Sequence, residues 1–391
     1  YQYAGIASGV KSVEGARDLA LIASDRDATI AGVYTQNLVA AAPVVLCRQR
    51  TPTERGRVVV VNSGNANACT GEQGLVDARA MAGAAAAAVG AGEDQALVLS
   101  TGIIGQSLPM EKILAGIQRA HSELAAGPDA FEAASHAILT TDNGPKTMST
   151  TVDCPAGVVQ LAGMAKGAAM IGPNMATMLA VFLTDAALEK EAARQILTTA
   201  VDLSFNCISV EGHTSTNDTV LLLATASADH PKIESTDDPA YQTFSRGLIY
   251  VCTELAKMIA RDGEGATKLV EVLILNAQTK SDALKTGRAV AESPLVKTAI
   301  FANDANWGRF MMAIGKSGAI FDPYRVGVYI SDYQIVKDGM DAGYSEEIAS
   351  QQLCAEEVKI RIDLQAGPAS ATFWTCDYSY DYIRINADYR T

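Results

Sequence analysis

A glycine-rich stretch in the middle of the chain, followed at once by an apolar run, constrains this sequence most. The stretch reads KGAAMIGPNMATML from Lys166 to Leu179, and the apolar run Met178–Leu183 predicts a buried strand. A threonine between a flexible loop and a strand becomes a new N-terminus if the Ala176–Thr177 bond breaks. Its α-amine then acts as general base for its own hydroxyl, a recognised way to activate a weak nucleophile. The segment therefore predicts a self-cleavage site with Thr177 as nucleophile.

The composition excludes several classes of protein. Of the 391 residues, 48% are hydrophobic and 19% are charged, which indicates a packed chain rather than a disordered one. The net charge of −13, without a basic run, argues against nucleic-acid binding, and the apolar stretches are too short or too interrupted to span a membrane. Seven cysteines without CxxC spacing and four histidines without ligand spacing predict no metal site, and reduced, mostly buried thiols in a cytoplasmic protein.

Short apolar runs alternate with helical patterns, which predicts a mixed α/β protein. The apolar runs predict strands at Thr29–Tyr34, Val58–Val61, Ala96–Leu99, Val158–Leu161, Met178–Leu183, Leu269–Leu275, Val326–Ile330, Val358–Leu364 and Ala371–Cys376. Alanine-rich or amphipathic segments predict helices at Asp77–Val89, Met110–Leu124, Leu188–Val201 and Tyr241–Ala260. The pattern does not give the topology.

Several separated motifs resemble the glutamate/ornithine N-acetyltransferases of arginine biosynthesis, and the resemblance extends from near Gly5 to Thr391. That family has Lys-Gly, small residues and then Met-Ala-Thr-Met-Leu, and it cleaves itself at the Ala–Thr bond. The resemblance implies one unit over residues 1–391, cut into an α segment (1–176) and a β segment (177–391). It also implies a helix–sheet–sheet–helix sandwich of the ornithine acetyltransferase and self-processing aminopeptidase type, with a smaller C-terminal α/β part.

The segment Ser100–Gly105 follows a predicted strand and is similar to the family's Ser-Thr-Gly-Val-Ile-Gly motif. Alone, such a segment is most often a turn. The resemblance implies that Thr101 and Gly102 form the oxyanion hole. The chemistry agrees, because the Thr101 hydroxyl and the Gly102 N–H are both donors and glycine allows close approach to the developing charge.

The resemblance also implies a substrate site, made by Thr140, Lys166, Thr177, Glu264, Asn386 and Thr391. The Lys166 ammonium would hold a substrate carboxylate, although a surface lysine is the simpler interpretation. The Glu264 carboxylate would hold the ornithine ammonium, although a Gly-Glu-Gly sequence after a helix also fits a plain turn. A polar chain end is usually frayed, but the resemblance implies that Asn386 and Thr391 fold back over the site.

Three further motifs are rich in asparagine, glycine or small polar residues, a composition that favours tight turns with positive φ. They lie at Asn62–Gly71, Ser215–Thr219 and Asn303–Arg309, and we expect them to be architecture near the site.

The sequence departs from the family pattern at three positions. Asn143 stands where the family more often has threonine, and Glu211 and His213 stand where it more often has aspartates. His213 could act as a base, but a single unpaired histidine is more often a surface or hydrogen-bonded residue.

The resemblance implies a specific reaction. Acetyl would pass from N2-acetylornithine to Thr177, releasing ornithine, and then to L-glutamate, in ping-pong order. No cofactor is implied, and acetyl-CoA stays open as a second acetyl donor. The expected partners are these small molecules and a second copy of each segment in an α2β2 assembly.

Three alternative functions stay open. A self-processing aminopeptidase or amidase of the same fold would use water as acceptor, and an antibiotic-pathway acetyltransferase would use another amine. A binding or scaffold protein would keep only the fold, and the presence of Thr177, Thr101, Gly102, Lys166 and Glu264 together argues against it.

Overall fold

The computed structural model of the chain describes residues 1–155, 157–172 and 178–388. The strands are β1 Gln2–Ile6, β2 Leu19–Tyr34, β3 Thr53–Asn65, β4 Ala96–Ile103, β5 Lys146–Cys154, β6 Gly157–Lys166, β7 Leu179–Thr184, β8 Ile208–Ser209, β9 Thr219–Ala224, β10 Leu269–Ala277, β11 Gly327–Ile330, β12 Tyr333–Lys337, β13 Met340–Asp341, β14 Glu357–Asp363 and β15 Ala369–Cys376.

The helices connect and cover these strands. They are α1 Ala42–Arg50, α2 Gly71–Ala88, α3 Met110–Ser122, α4 Pro128–Ala137, α5 Lys190–Leu203, α6 Pro239–Arg261, α7 Lys280–Ala291, α8 Pro294–Phe301, α9 Trp307–Gly315, α10 Glu346–Leu353 and α11 Tyr380–Asp388. Within the described ranges, no helix is both long enough and apolar enough to cross a membrane.

The first sheet is mixed and is folded at one long strand. Its strand order is β4-β3-β2-β9-β7-β6-β5, and β1 pairs with β2. The first half of β2 pairs with β1 and β3, whereas Thr29–Tyr34 pairs with β9. The register of β2 against β3 shifts between Ala23 and Ile30. Such irregularities bend a strand, so β2 joins two limbs of one continuous sheet.

The two limbs pack face to face. Leu179, Val181 and Leu183 of β7 share a buried cluster with Val59 and Val61 of β3. The opposite face of β7 packs in the core that contains α5 and α6, and the opposite face of β3 packs against α2 and α3. This alternation follows from the two-residue period of a strand. The layers are therefore helix, sheet, sheet and helix, as predicted.

A second, smaller sheet forms the C-terminal part, which is also confirmed. Its order is β13-β12-β11-β14-β10-β15-β8. Helix α6 lies between the two sheets, because it contacts β5 and β6 on one side and β10 and β15 on the other. Its N-cap Asp238 accepts a hydrogen bond from the Ala240 N–H, and the helix ends at Arg261, with Asp262 as its C-cap. The turn after this end carries Glu264.

Each predicted strand and helix overlaps a strand or helix of the fold, although six of them run one or two residues past its end. The largest excesses are at Leu124, after α3, and at Leu188, before α5. Pattern analysis missed several strands and helices, among them β5, whose sequence KTMSTTVDC is mostly polar and partly exposed because it lies at one edge of the first sheet. All seven cysteines lie in the described residues, and five of them are buried, as predicted, whereas Cys69 and Cys354 are exposed.

Candidate active site

Five of the predicted site residues line one cleft: Thr101, Gly102, Thr140, Lys166 and Glu264. The rest of its described lining is Ala66, Ile104, Thr141, Ala169, Met170, Ser215, Thr216 and Asn217. The other predicted residues Ala176, Thr177 and Thr391 lie outside the described residues. Two of the three turn motifs thus contribute to the cleft, whereas Asn303–Arg309 does not appear in this lining.

Thr101 and Gly102 stand near the end of β4, beside the parallel strand β3. Gly102 has φ +131, and a Cβ there would lie 2.3 Å from the carbonyl carbon of Gly64. Only glycine fits so close to the neighbouring backbone. Thr101 is 3% exposed, and its hydroxyl oxygen accepts a hydrogen bond of 3.3 Å from Nζ of Lys166. The two expected donors therefore sit at the cleft wall in a fixed backbone.

Lys166 is buried, not a surface lysine. It is the last residue of β6 and only 2% exposed. Burial lowers the pKa of its ammonium, because a charged group loses its hydration there, and the nearby Asp142 carboxylate opposes this shift. A buried cation beside an acid is suited to receive a second anion from the cleft.

Three ion-paired side chains, Asp142, Lys146 and Asp262, connect the loops around Lys166, and we call them the ion chain. Nζ of Lys146 lies 2.7 Å from Oδ1 of Asp142 and 2.6 Å from Oδ2 of Asp262. Oδ1 of Asp142 also accepts the Gly167 N–H at 2.6 Å. Burial alone would raise the pKa of Asp142, but Lys166, Lys146 and these hydrogen bonds outweigh it and hold the pKa below its ordinary value.

The structure brings Glu264 and Asn386 together. Oε2 of Glu264 accepts a hydrogen bond of 3.0 Å from Nδ2 of Asn386, and Glu264 is 8% exposed. Gly265, with φ +71, lets the turn approach α11 closely, since a Cβ there would lie 2.4 Å from the Tyr382 nitrogen. The C-terminal helix therefore packs against the acidic end of the cleft.

Comparison with known proteins identifies the family. A sequence profile of the ArgJ family matches residues 2–391. The chain belongs to the ArgJ family. The arginine biosynthesis bifunctional protein ArgJ of Symbiobacterium thermophilum is 50% identical over 377 residues, which covers 96% of this chain and 93% of that protein. The protein of the same name from Geobacter sulfurreducens is 45% identical over 392 residues, and the match covers 99% of that protein.

A solved structure supports the same assignment. The crystal structure of the arginine biosynthesis bifunctional protein from Bacillus halodurans superposes with a TM-score of 0.51 at 39% identity. It covers 52% of this chain and 96% of its own chain. This ArgJ-family chain is therefore an acyltransferase of arginine biosynthesis.

A buried carboxyl group to which the sequence analysis assigned no individual role stands next to the expected cleavage site of this ArgJ-family chain. Oδ1 of Asp218 accepts the Met178 N–H at 2.9 Å, and Asp218 is fully buried. Burial raises its pKa well above the ordinary value. Asp218 thus fixes the residue that follows Thr177 in the chain. Its sequence signals were its place in the motif Ser215–Thr219, which we expected near the site, and its position directly before the apolar strand β9.

The departures from the family pattern lie around the cleft, not in its described lining. Oε1 of Glu211 accepts the Ile171 N–H at 2.6 Å, and Nδ1 of the exposed His213 lies 3.6 Å from the same oxygen. These residues hold the loop before the expected cleavage site. Asn143 bonds to Asp262 through both its backbone and side-chain nitrogens, at 3.1 and 2.7 Å.

Proposed function

We propose that this ArgJ-family chain is a self-processing ornithine acetyltransferase, which moves acetyl from N2-acetylornithine to L-glutamate through an acetyl ester on Thr177. One observation carries the proposal: a buried lysine, Lys166, and a buried acidic residue, Glu264, line the same cleft as Thr101 and Gly102. An acetylated diamino acid offers a carboxylate to the first and an ammonium to the second. The acyl group would then lie near the oxyanion donors.

Self-cleavage would use the same groups. The Thr177 hydroxyl attacks the Ala176 carbonyl, and the Thr101 hydroxyl and Gly102 N–H stabilise the resulting oxyanion. The C–N bond breaks, the Thr177 nitrogen takes up a proton, and an ester remains. Water hydrolyses this ester, leaving a carboxylate on Ala176 and a free α-amine on Thr177. Asp218, which binds the next amide, supports this geometry by holding Met178.

Acetyl transfer would follow in two halves. The Thr177 α-amine accepts the hydroxyl proton while the oxygen attacks the acetyl carbonyl of N2-acetylornithine. The C–N bond breaks and ornithine leaves with that proton. The glutamate amine then attacks the ester, N-acetylglutamate forms, and a proton returns to the Thr177 oxygen. No cofactor is needed.

The comparisons lend two further points of support. The Bacillus halodurans chain spans about half of this chain, the length expected of one segment of a cut protein. The relatives' name, bifunctional protein, favours a second activity, for which we propose acetyl-CoA as an alternative acetyl donor. We also propose an α2β2 assembly in the cytoplasm.

Intact mass spectrometry under denaturing conditions tests the proposal. We expect fragments of 176 and 215 residues, with an acetyl mass on the larger fragment after N2-acetylornithine is added. Thr177→Ala is the matched control and should stay uncut and unlabelled. A Thr177→Ala protein that still splits, or a wild-type fragment that never gains acetyl, would refute the mechanism. Acetate release at an unchanged rate with and without glutamate would indicate an amidase instead.

A further inference from the structure

Three loops that carry site residues meet at one buried ion chain. Thr140 precedes Asp142 by two positions, and its N–H donates to Oδ2 of Asp142 at 3.0 Å. Gly167, which follows Lys166, donates to Oδ1 of the same carboxylate. The side chain of Asp142 is therefore bound to both loops, and it is fully buried.

The third loop joins through Lys146. Its Nζ connects Asp142 with Asp262, which stands two residues before Glu264. The side chains of Lys146 and Asp262 are 4% and 16% exposed, so water screens these pairs only weakly. The Glu264 N–H donates to the Ala168 carbonyl at 2.9 Å, which ties the loop after Lys166 to the acidic end of the cleft.

The charge of Lys166 depends on its surroundings, because its side chain is removed from water. The ionisable groups that act on it are Asp142, Lys146, Asp218 and Glu264, and Lys11 stands further along the same side of the cleft. Among these, the Asp142 carboxylate is the strongest influence that favours the ammonium, and Lys146 opposes it. Asp218 is itself shifted towards its neutral form by burial.

We infer that Asp142 is a positioning residue that keeps Lys166 cationic for the substrate carboxylate and, through Lys146 and Asp262, holds the Lys166 and Glu264 ends of the cleft at a fixed separation. This inference rests on the proposed function, because it assumes a substrate with a carboxylate. A neutral Lys166 would still donate a hydrogen bond to the Thr101 hydroxyl, but it would lose its attraction for an anion. Asp142 itself does not line the cleft.

The test is the pH profile of kcat/KM for N2-acetylornithine, measured from about pH 6 to 10 on cleaved enzyme, because burial lowers the pKa of a lysine. In Asp142→Asn, the falling limb at high pH should move down by one pH unit or more, which is a tenfold change in neutral Lys166. KM should rise more than kcat falls. The carboxamide of N2-acetylornithine, which lacks the carboxylate, should show no such limb with either enzyme.

Lys146→Met makes the opposite prediction and needs no change at Asp142. Removing the Lys146 ammonium takes away its repulsion of the Lys166 ammonium and leaves the attraction of the Asp142 carboxylate. The falling limb of the kcat/KM profile should therefore move to higher pH. Asp142→Glu restores the charge and should restore the limb with a higher KM. Asp332→Asn, which removes a carboxylate that is 99% exposed, is the matched control and should behave as wild type.

The outcomes distinguish failure of the proposed function from failure of the role of Asp142. Wild-type protein that transfers no acetyl from N2-acetylornithine refutes the proposed function. Active wild type with an unmoved high-pH limb in Asp142→Asn overturns the role of Asp142 alone. If Asp142→Asn fails to fold, Asp142→Glu decides the question, because it keeps the charge and moves its position: a wild-type limb with a raised KM supports the inference, and an unchanged KM overturns it.

Discussion

Gly102→Ala is the substitution whose consequences the structure specifies most closely. A Cβ at this position would lie 2.3 Å from the Gly64 carbonyl carbon and 2.5 Å from the Asn65 nitrogen. Both atoms belong to the backbone of β3, so no side-chain rotation can relieve the contact. Ordinary contact begins at 3.4 Å, so the ends of β3 and β4 must separate by roughly 1 Å.

The expected effect on rate is large. A displacement of about 1 Å in a catalytic group costs roughly 10²-fold, and the loss of one oxyanion donor costs about 10²–10³-fold. We therefore expect both self-cleavage and acetyl transfer to slow by about 10²–10³-fold. Positive φ adds about 1–2 kcal/mol of strain for alanine, and overpacking adds about 1–3 kcal/mol, so the free energy of unfolding should also fall.

Gly105→Ala is the matched control. Gly105 lies three residues further on and also has positive φ, +80, but a Cβ there meets no atom within 4 Å. This variant should lose only the stability that the strained φ costs, and it should keep the wild-type rates of self-cleavage and acetyl transfer. The assay follows the two fragments and the acetyl adduct by mass spectrometry, with thermal unfolding in parallel. Equal rates in the two variants would show that the position of the Gly102 N–H does not matter, and the oxyanion-hole assignment would fail.

Three further predictions concern buried charge and thiols. Lys166→Met should raise KM for N2-acetylornithine by about tenfold or more, with a smaller fall in kcat, because a charged hydrogen bond to the substrate is lost. Initial rates on cleaved enzyme measure both constants, and an unchanged KM would show that Lys166 does not bind the substrate. The pKa of Asp142 in the folded protein lies below its value in the unfolded chain, so its contribution to stability is present above about pH 4 and is lost as pH falls through the folded pKa. Thermal unfolding should therefore give wild type and Asp142→Asn different Tm values at neutral pH and similar values in acid. Alkylation at about pH 8 should label the exposed Cys69 and Cys354 first. Burial raises the pKa of Cys47 to about 12 and of Cys207 to about 11, so these thiols should react late. Mass spectrometry counts the labels, and early labelling of Cys47 would contradict its burial.

The sequence predicted much of the framework because apolar periodicity reports burial directly. The runs Val58–Val61 and Leu269–Leu275 are buried strands for that reason. The meeting of Thr101, Lys166 and Glu264 in one cleft followed from the family resemblance, because nothing in the spacing of these residues places them together. Strand β5 was missed because a polar edge strand has no such pattern.

The ion chain could not be predicted for a different reason. Lys146 and Asp262 are 116 residues apart in the chain, and the sequence around each is that of an ordinary charged turn. Their pairing depends on α6 ending beside the start of β5. Likewise, a lysine at the end of a strand is usually expected at the surface, whereas Lys166 is buried and Asp142 binds the N–H of the next residue, Gly167.

The strand order of the first sheet also determines what a cut chain would become. Strands β7 and β9 come after residue 177 in the sequence, yet they lie between β2 and β6, which come before it. Two pieces produced by a break between Ala176 and Thr177 would therefore interleave, each supplying strands that the other must pair with. Neither piece could leave without opening both ladders, so dissociation of the pieces and unfolding of the sandwich would be one event, with one free energy.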